Sequence, residues 1–384
     1  MKLSDELKSK IQNLIVDFFN IFPIKKNKIF IFSYYGNQYG DSPKYISEYL
    51  VNNYPKEKFD IVWQFNDVDS HKDIEGIRKV KSMTLRYFYE LCTSKIIITN
   101  FRTTELFKKR KNQYYIQTWH SSLRLKQIEK DAETSLPKSY VKMAKIDSKK
   151  CDLLLSGCKY STEIFKRAFW YEGEIFEKGT PRSDMLLKDN NEISKKVKKL
   201  LGINEDRKLI LYAPTFRKGD SLEVYNVDYQ NVIEAVKKKY GGQWSFLVRL
   251  HPHLVSKSKE IIHGENVIDA TKYDDIQELL VSSHILISDY SSLMFDFALT
   301  EKPCFLYVPD LEEYIKNDRK LYFNIKELPF INSLSNEELI SSINCFDDKE
   351  YKCKLKDFYK KIVSFEDGKA CDNLAKKIEE VCFS

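Results

Sequence analysis

The residues best suited to chemistry in this chain are histidines, arginines and hydroxyls that follow directly on apolar, strand-like runs. In Gln117-Thr118-Trp119-His120-Ser121-Ser122 an imidazole comes immediately after the run 114–118. A neutral base near pH 7 is useful at such a place, although a lone histidine behind a strand is more often a hydrogen-bonding strut than a catalyst. The run 246–250 ends in Arg249-Leu250-His251-Pro252-His253, which presents one cation and two imidazoles together. Two histidines this close invite a metal, but no HExxH pattern accompanies them and no metal is expected. Ser288-Asp289-Tyr290-Ser291-Ser292 leads from a strand into a helix predicted over 293–300. Hydroxyls and unbonded amides at a helix start form an anion site, unless Ser291 or Ser292 merely caps the helix. Tyr212-Ala213-Pro214-Thr215-Phe216-Arg217 adds a hydroxyl and a guanidinium shaped for phosphate oxygens. The absence of a GxGxxG or Walker loop argues against a dinucleotide cofactor and against an ordinary ATPase.

Elements able to position these residues are legible as short apolar runs alternating with helical stretches, the pattern of an α/β fold with parallel sheets. Strands are predicted at 29–33, 60–64, 95–99, 113–118 and 153–156, and in a second series at 208–212, 244–250, 266–269, 285–288 and 304–307. A Lys-rich stretch, 188–199, separates the two series and reads as a surface helix or linker. The expectation is two Rossmann-like domains, 1–187 and 188–384, with ligands at the carboxyl ends of the strands and a cleft between the domains. An N-terminal helix is expected from Leu7, Ile11, Leu14, Ile15, Phe18 and Phe22, with Ser4 as its cap and Lys25, Lys26 and Lys28 behind it. Such a helix either packs on its own domain or lies on an anionic membrane surface.

The chain has 384 residues, enough for two cores, and 63 Lys and Arg against 56 Asp and Glu give a net charge of +7. That modest excess suits an anionic substrate or membrane surface and falls short of a nucleic-acid binder. Eight cysteines show no CxxC or zinc spacing and read as buried free thiols of a reducing compartment. No secretory signal or membrane-spanning run is read from the sequence.

Taken in order, QTWHSS at Gln117, GTPRSD at Gly179, LYAPTFR at Leu211, RLHPH at Arg249 and SDYSSLMFDFA at Ser288 resemble the CDP-glycerol glycerophosphotransferase family, the teichoic acid primases and polymerases. The segment SYYGNQYGDSPKYISEYL, with Gly36, also looks like that family's N-terminal glycine-containing stretch. The resemblance implies a GT-B-like fold on the cytoplasmic face of the membrane. It implies transfer of glycerol phosphate from CDP-glycerol, or ribitol phosphate from CDP-ribitol, to a lipid-linked or oligosaccharide acceptor, with CMP released and no cofactor. By the same resemblance His120 and His251 are the catalytic pair, facing each other across the cleft. Thr215, Arg217, Arg249, His253, Asp289, Ser291 and Ser292 would contact the donor, while Gly36, Ser121, Ser122 and Arg182 would lie on the acceptor side. The product would be teichoic acid or a capsule-type polymer. Relatives often read Trp-His-Gly-Thr where this chain has Trp119-His120-Ser121-Ser122, so the acceptor side is where a difference is expected. A nucleotide-sugar glycosyltransferase and a non-catalytic subunit of a polymer-synthesis complex are the alternatives.

Overall fold

The computed structural model describes residues 5–217, 222–317 and 320–384. Ser4, the expected helix cap, lies outside them. Two wholly parallel sheets organise the chain. The first contains β1 (Lys25–Phe32), β2 (Asp60–Phe65), β3 (Arg78–Lys81), β4 (Ser94–Thr99), β5 (Tyr114–Gln117), β6 (Leu153–Leu155) and β7 (Glu174–Phe176), in the spatial order β3-β2-β1-β4-β5-β6-β7. The second contains β8 (Lys208–Tyr212), β9 (Trp244–Val248), β10 (Val267–Asp269), β11 (Ile285–Ser288), β12 (Cys304–Tyr307) and β13 (Ile331–Ser333), in the order β10-β9-β8-β11-β12-β13. In each sheet the order reverses once, between β1 and β4 and between β8 and β11. Loops diverge there at the carboxyl ends and leave room for a ligand.

All ten predicted strands form, within two residues at most ends except for β1, which starts at Lys25. The three that escaped prediction, β3, β7 and β13, are short strands at sheet edges. Strands covered on both faces read as continuous apolar runs, whereas Arg-Lys-Val-Lys at β3 and Glu-Ile-Phe at β7 carry the charge of an edge.

The chain divides into two compact units, one of Met1–Ser122, Ile128–Asp184 and Phe365–Ser384, the other of Leu123–Gln127 and Met185–Ser364. They are thus not the contiguous spans 1–187 and 188–384. The C-terminal helix Ala370–Phe383 buries Leu374, Ala375, Ile378 and Cys382 against Ile29, Ile31 and Ile96 of the first sheet. Its first amides, on Ala370 and Cys371, donate to the two carboxylate oxygens of Asp184 (2.9 and 2.8 Å). That cap bridges 186 residues of sequence. The Lys-rich stretch forms a helix, Asn191–Leu200, in the second unit.

The first helix, Asp5–Phe19, packs on the helix Leu85–Thr93 through Val16 and through Phe19, whose ring lies 5.8 Å from that of Tyr89. A second stripe, Leu7, Ile11, Leu14 and Phe18, remains exposed, as do Ile21 and Phe22. Lys25 and Lys26 are exposed beside it, but Lys28 is fully buried in an ion pair with Glu90 and a hydrogen bond to Thr93. Six of the eight cysteines are buried, whereas Cys345 and Cys353 are exposed. Among the described residues no helix is long and apolar enough to cross a membrane.

Candidate active site

In the first unit, three strand ends converge beside the switch point. Trp119, just after β5, takes a left-handed φ of 53°, held by Gln117 Oε1 accepting from its N–H (2.9 Å) and by Thr118 Oγ1 donating to its carbonyl (2.9 Å). This turn sets the half-buried His120 ring flat against Phe101, which follows β4, with centroids 5.2 Å apart and planes 12° from parallel. His120 Nδ1 lies 3.3 Å from the Asn100 carbonyl. A carbonyl only accepts, so that partner assigns the proton to Nδ1 and leaves the lone pair on Nε2.

The left-handed residue beside His120 is Trp119 and not Ser121. Serine in place of the family's glycine therefore carries no backbone strain. Ser121 and Ser122 are both buried, and the Ser122 carbonyl accepts from Ser161 Oγ (2.7 Å). Gly36, after β1, has φ 85°; a Cβ there would press on Gln64, Asn66 and Ser82 at 3.1 to 3.2 Å. It contributes backbone, its carbonyl accepting from the Asn66 N–H (2.8 Å). Arg182 was expected to face the acceptor. Its guanidinium is buried instead, and Nη1 donates to the His120 carbonyl (2.7 Å) and to Asp41 (2.8 Å), which also accepts from Tyr34 (2.8 Å). Arg182 thus positions the histidine turn.

GTPRSD is the latch for these contacts. Thr180 gives its N–H and its hydroxyl to Glu366 (3.1 and 2.8 Å), Arg182 holds His120, and Asp184 caps the last helix. Glu366 approaches so closely that a Cβ on Gly157 would overlap both its carboxylate and Ser122 Oγ.

In the second unit the expected donor residues mostly bind one another. Arg217 Nη1 donates to Asp289 (2.8 Å), to the Thr215 hydroxyl (2.6 Å) and to the Thr215 carbonyl (2.7 Å). Its Nε and Nη2 donate to Asp310 (2.6 and 3.3 Å). Asp289 also accepts from the Thr215 N–H (2.9 Å), and Tyr290 donates to Asp310 (2.9 Å). The guanidinium lies 4.7 Å from the Tyr290 ring, itself stacked on Tyr314 at 3.6 Å. Two carboxylates keep Arg217 charged against its burial. Thr215, Arg217 and Asp289 therefore tie the ends of β8, β11 and β12 together, where phosphate contacts were expected. Asp310 escaped the sequence reading, although it too follows a strand.

Ser291 takes the capping role, and Ser292 takes neither of the two expected roles. Ser291 Oγ accepts from the Leu293 N–H (3.3 Å) at the start of the short helix Leu293–Ala298. Ser292 Oγ accepts from Leu125 N–H (3.1 Å), anchoring the inserted segment Leu123–Gln127. Arg249 reaches the carbonyls of Tyr273 (3.3 Å) and Asp274 (3.5 Å) and so holds the loop after β10.

His251 and His253 form the accessible part of this unit's site, 4.9 Å apart and each beside Phe216, at 5.7 and 5.2 Å. His251 Nδ1 accepts from the His253 N–H (3.3 Å), so Nε2 carries the proton in the neutral ring. Partial burial, then the positive charge of His253, Lys126 and Arg249, holds its pKa below the ordinary histidine value. Lys126 closes the polar stretch 117–126 behind β5, and it belongs to this unit because the segment Leu123–Gln127 does.

Residues 14–380 match the family model described as CDP-Glycerol:Poly(glycerophosphate) glycerophosphotransferase. A teichoic acid poly(glycerol phosphate) polymerase of Bacillus spizizenii is 31% identical over 388 residues, which are 97% of this chain and 96% of that protein. A polymerase of the same name from Staphylococcus epidermidis is 33% identical over 366 residues, 90% of this chain, and the chain spans 50% of that relative's length. The solved wall teichoic acid polymerase TagF matches with a TM-score of 0.85 at 29% identity, covering 98% of this chain and 95% of that one, which bears out the GT-B-like α/β class.

Proposed function

The chain belongs to the CDP-Glycerol:Poly(glycerophosphate) glycerophosphotransferase family, and from this we propose that it transfers glycerol phosphate, or a related polyol phosphate, from a CDP-activated donor to an acceptor hydroxyl. The acceptor is a lipid-linked or saccharide end in the synthesis of teichoic acid or a capsule-type polymer. In the proposed step the acceptor oxygen attacks the β-phosphorus, a new O–P bond forms, the bond from that phosphorus to the bridging oxygen breaks, and CMP leaves. His120 Nε2 takes the acceptor proton. His251 donates an Nε2–H hydrogen bond to the departing phosphate, with His253 and Lys126 adding donors and positive charge.

The observation that carries this reading, beside the family match, is that the two imidazoles are in opposite hydrogen-bond states. A base needs its lone pair, and His120 has a carbonyl at Nδ1. A leaving-group partner needs a proton, and His251 has an amide N–H at Nδ1. Phosphoryl transfer asks mainly for positioning and charge stabilisation, which such a pair with cations nearby supplies. The test is CMP release from CDP-glycerol and CDP-ribitol, with UDP- and GDP-sugars as controls. His120→Ala should lower turnover by about 10² to 10⁴ with the fold intact. Near wild-type release by that variant, or release of UDP or GDP instead, would overturn the proposal.

The exposed stripe Leu7, Ile11, Leu14 and Phe18, with Lys25 and Lys26 close by, supports peripheral binding to an anionic membrane on its cytoplasmic face. Sedimentation with phosphatidylglycerol vesicles should be lost on Leu14→Glu with Phe18→Glu and be weak on phosphatidylcholine. Equal sedimentation of variant and wild type would exclude this helix as the contact.

A further inference from the structure

Beside His120 runs a row of rings that the transfer step does not itself use. Phe101 stacks on His120 and meets Tyr35 at 4.8 Å, and Tyr35 at the outer end is 42% exposed. Tyr35 does not reach this place by default. Tyr34 and Tyr35 have φ 48° and 55°, a left-handed pair at two bulky residues that costs free energy and persists only where neighbours enforce it. Here Asn100 Oδ1 accepts from the Tyr34 N–H (3.0 Å) and Asn66 Nδ2 donates to the Tyr35 carbonyl (3.1 Å). The fold thus maintains strain that turns an aromatic ring outward next to the proposed base.

The charges around the row narrow what it suits. Arg182 is neutralised by Asp41. Behind the row, buried Arg102 is matched by two carboxylates, Glu129 (2.9 Å) and Asp147 (3.2 Å). Burial first, and then Asp147, pushes the Tyr35 phenol above its ordinary pKa. A polyanion gains nothing from a surface backed by excess negative charge. A neutral sugar ring, in contrast, offers a flat C–H face to an aromatic ring and hydroxyls to the base.

We propose that Tyr35 and Phe101 form an acceptor subsite that seats a neutral saccharide, with Tyr35 as its outer platform and His120 at its inner end. The inference rests on the transferase reading and deepens it: this enzyme accepts on a sugar-terminated molecule in preference to a growing poly(polyol phosphate) end.

The full chain is titrated with di-N-acetylchitobiose, and with the same disaccharide bearing glycerol phosphate units, by saturation-transfer NMR. Acceptor KM and CDP-glycerol binding are measured in parallel. Tyr35→Ala should weaken disaccharide binding and raise its KM about five-fold. Tyr35→Phe and Tyr35→Trp should keep both, and CDP-glycerol binding should be unchanged throughout. The subsite is overturned if wild type does not bind the disaccharide, if Tyr35→Ala binds it equally well, if that variant loses CDP-glycerol binding in parallel, or if the phosphate-bearing acceptor binds more tightly. Disaccharide binding that depends on Tyr35 without CMP release from any donor would uphold the subsite while defeating the transferase reading.

Discussion

A proton on His251 is disfavoured twice, by partial burial of the ring and by the cations His253, Lys126 and Arg249. The neutral ring, with Nε2–H as donor, therefore persists to lower pH than for an ordinary histidine. Removing one of those cations favours the imidazolium. Lys126→Ala should raise the His251 pKa in an NMR titration, whereas an unmoved titration would show that Lys126 does not act on the ring. Arg217 teaches the opposite lesson at the same scale. Its type suits phosphate, yet Asp289 and Asp310 hold its fork in planar, charge-assisted geometry, so residue type alone overstated its availability.

Elements deliver these side chains through turns that depend on distant partners. The His120 turn is braced by Arg182 from GTPRSD, and that motif is braced by Glu366 from the C-terminal segment. Gly157 sits against Ser122 and Glu366, and the reason for glycine there is space and not backbone angle. Gly157→Ala should displace Ser122 and Glu366, cost about 1 to 3 kcal/mol of stability, and lower CMP release more than donor binding. Urea denaturation and CDP-glycerol titration of the same variant check both parts; wild-type stability would mean that Glu366 moves aside freely.

Stability of the whole molecule carries its own pH dependence, set far from the chemistry. His284, just before β11, accepts the Leu209 N–H at Nδ1 (3.2 Å), and burial, followed by Lys302, Lys198 and Lys208, lowers its pKa from 6.5 to about 4. The folded-state value is depressed, so this contribution is fully present above the unfolded pKa of 6.5 and disappears as pH falls toward 4. It amounts to about 3 kcal/mol. Denaturation midpoints measured from pH 7.5 to 4 should show that loss, and His284→Gln should flatten it; an equal slope in both proteins would rule His284 out. By itself the sequence determined the fold class, the central strands and the positions of His120 and His251 at strand ends, because apolar runs and strand-end polar residues are local patterns. Only the tertiary structure decided the edge strands β3, β7 and β13, the return of Phe365–Ser384 to the first unit, the arrival of Lys126 in the second, and which polar groups are engaged by one another. Those outcomes depend on which partner wins each donor and on chain crossings. Asp184 finds its amides 186 residues away, and no local pattern encodes such a meeting.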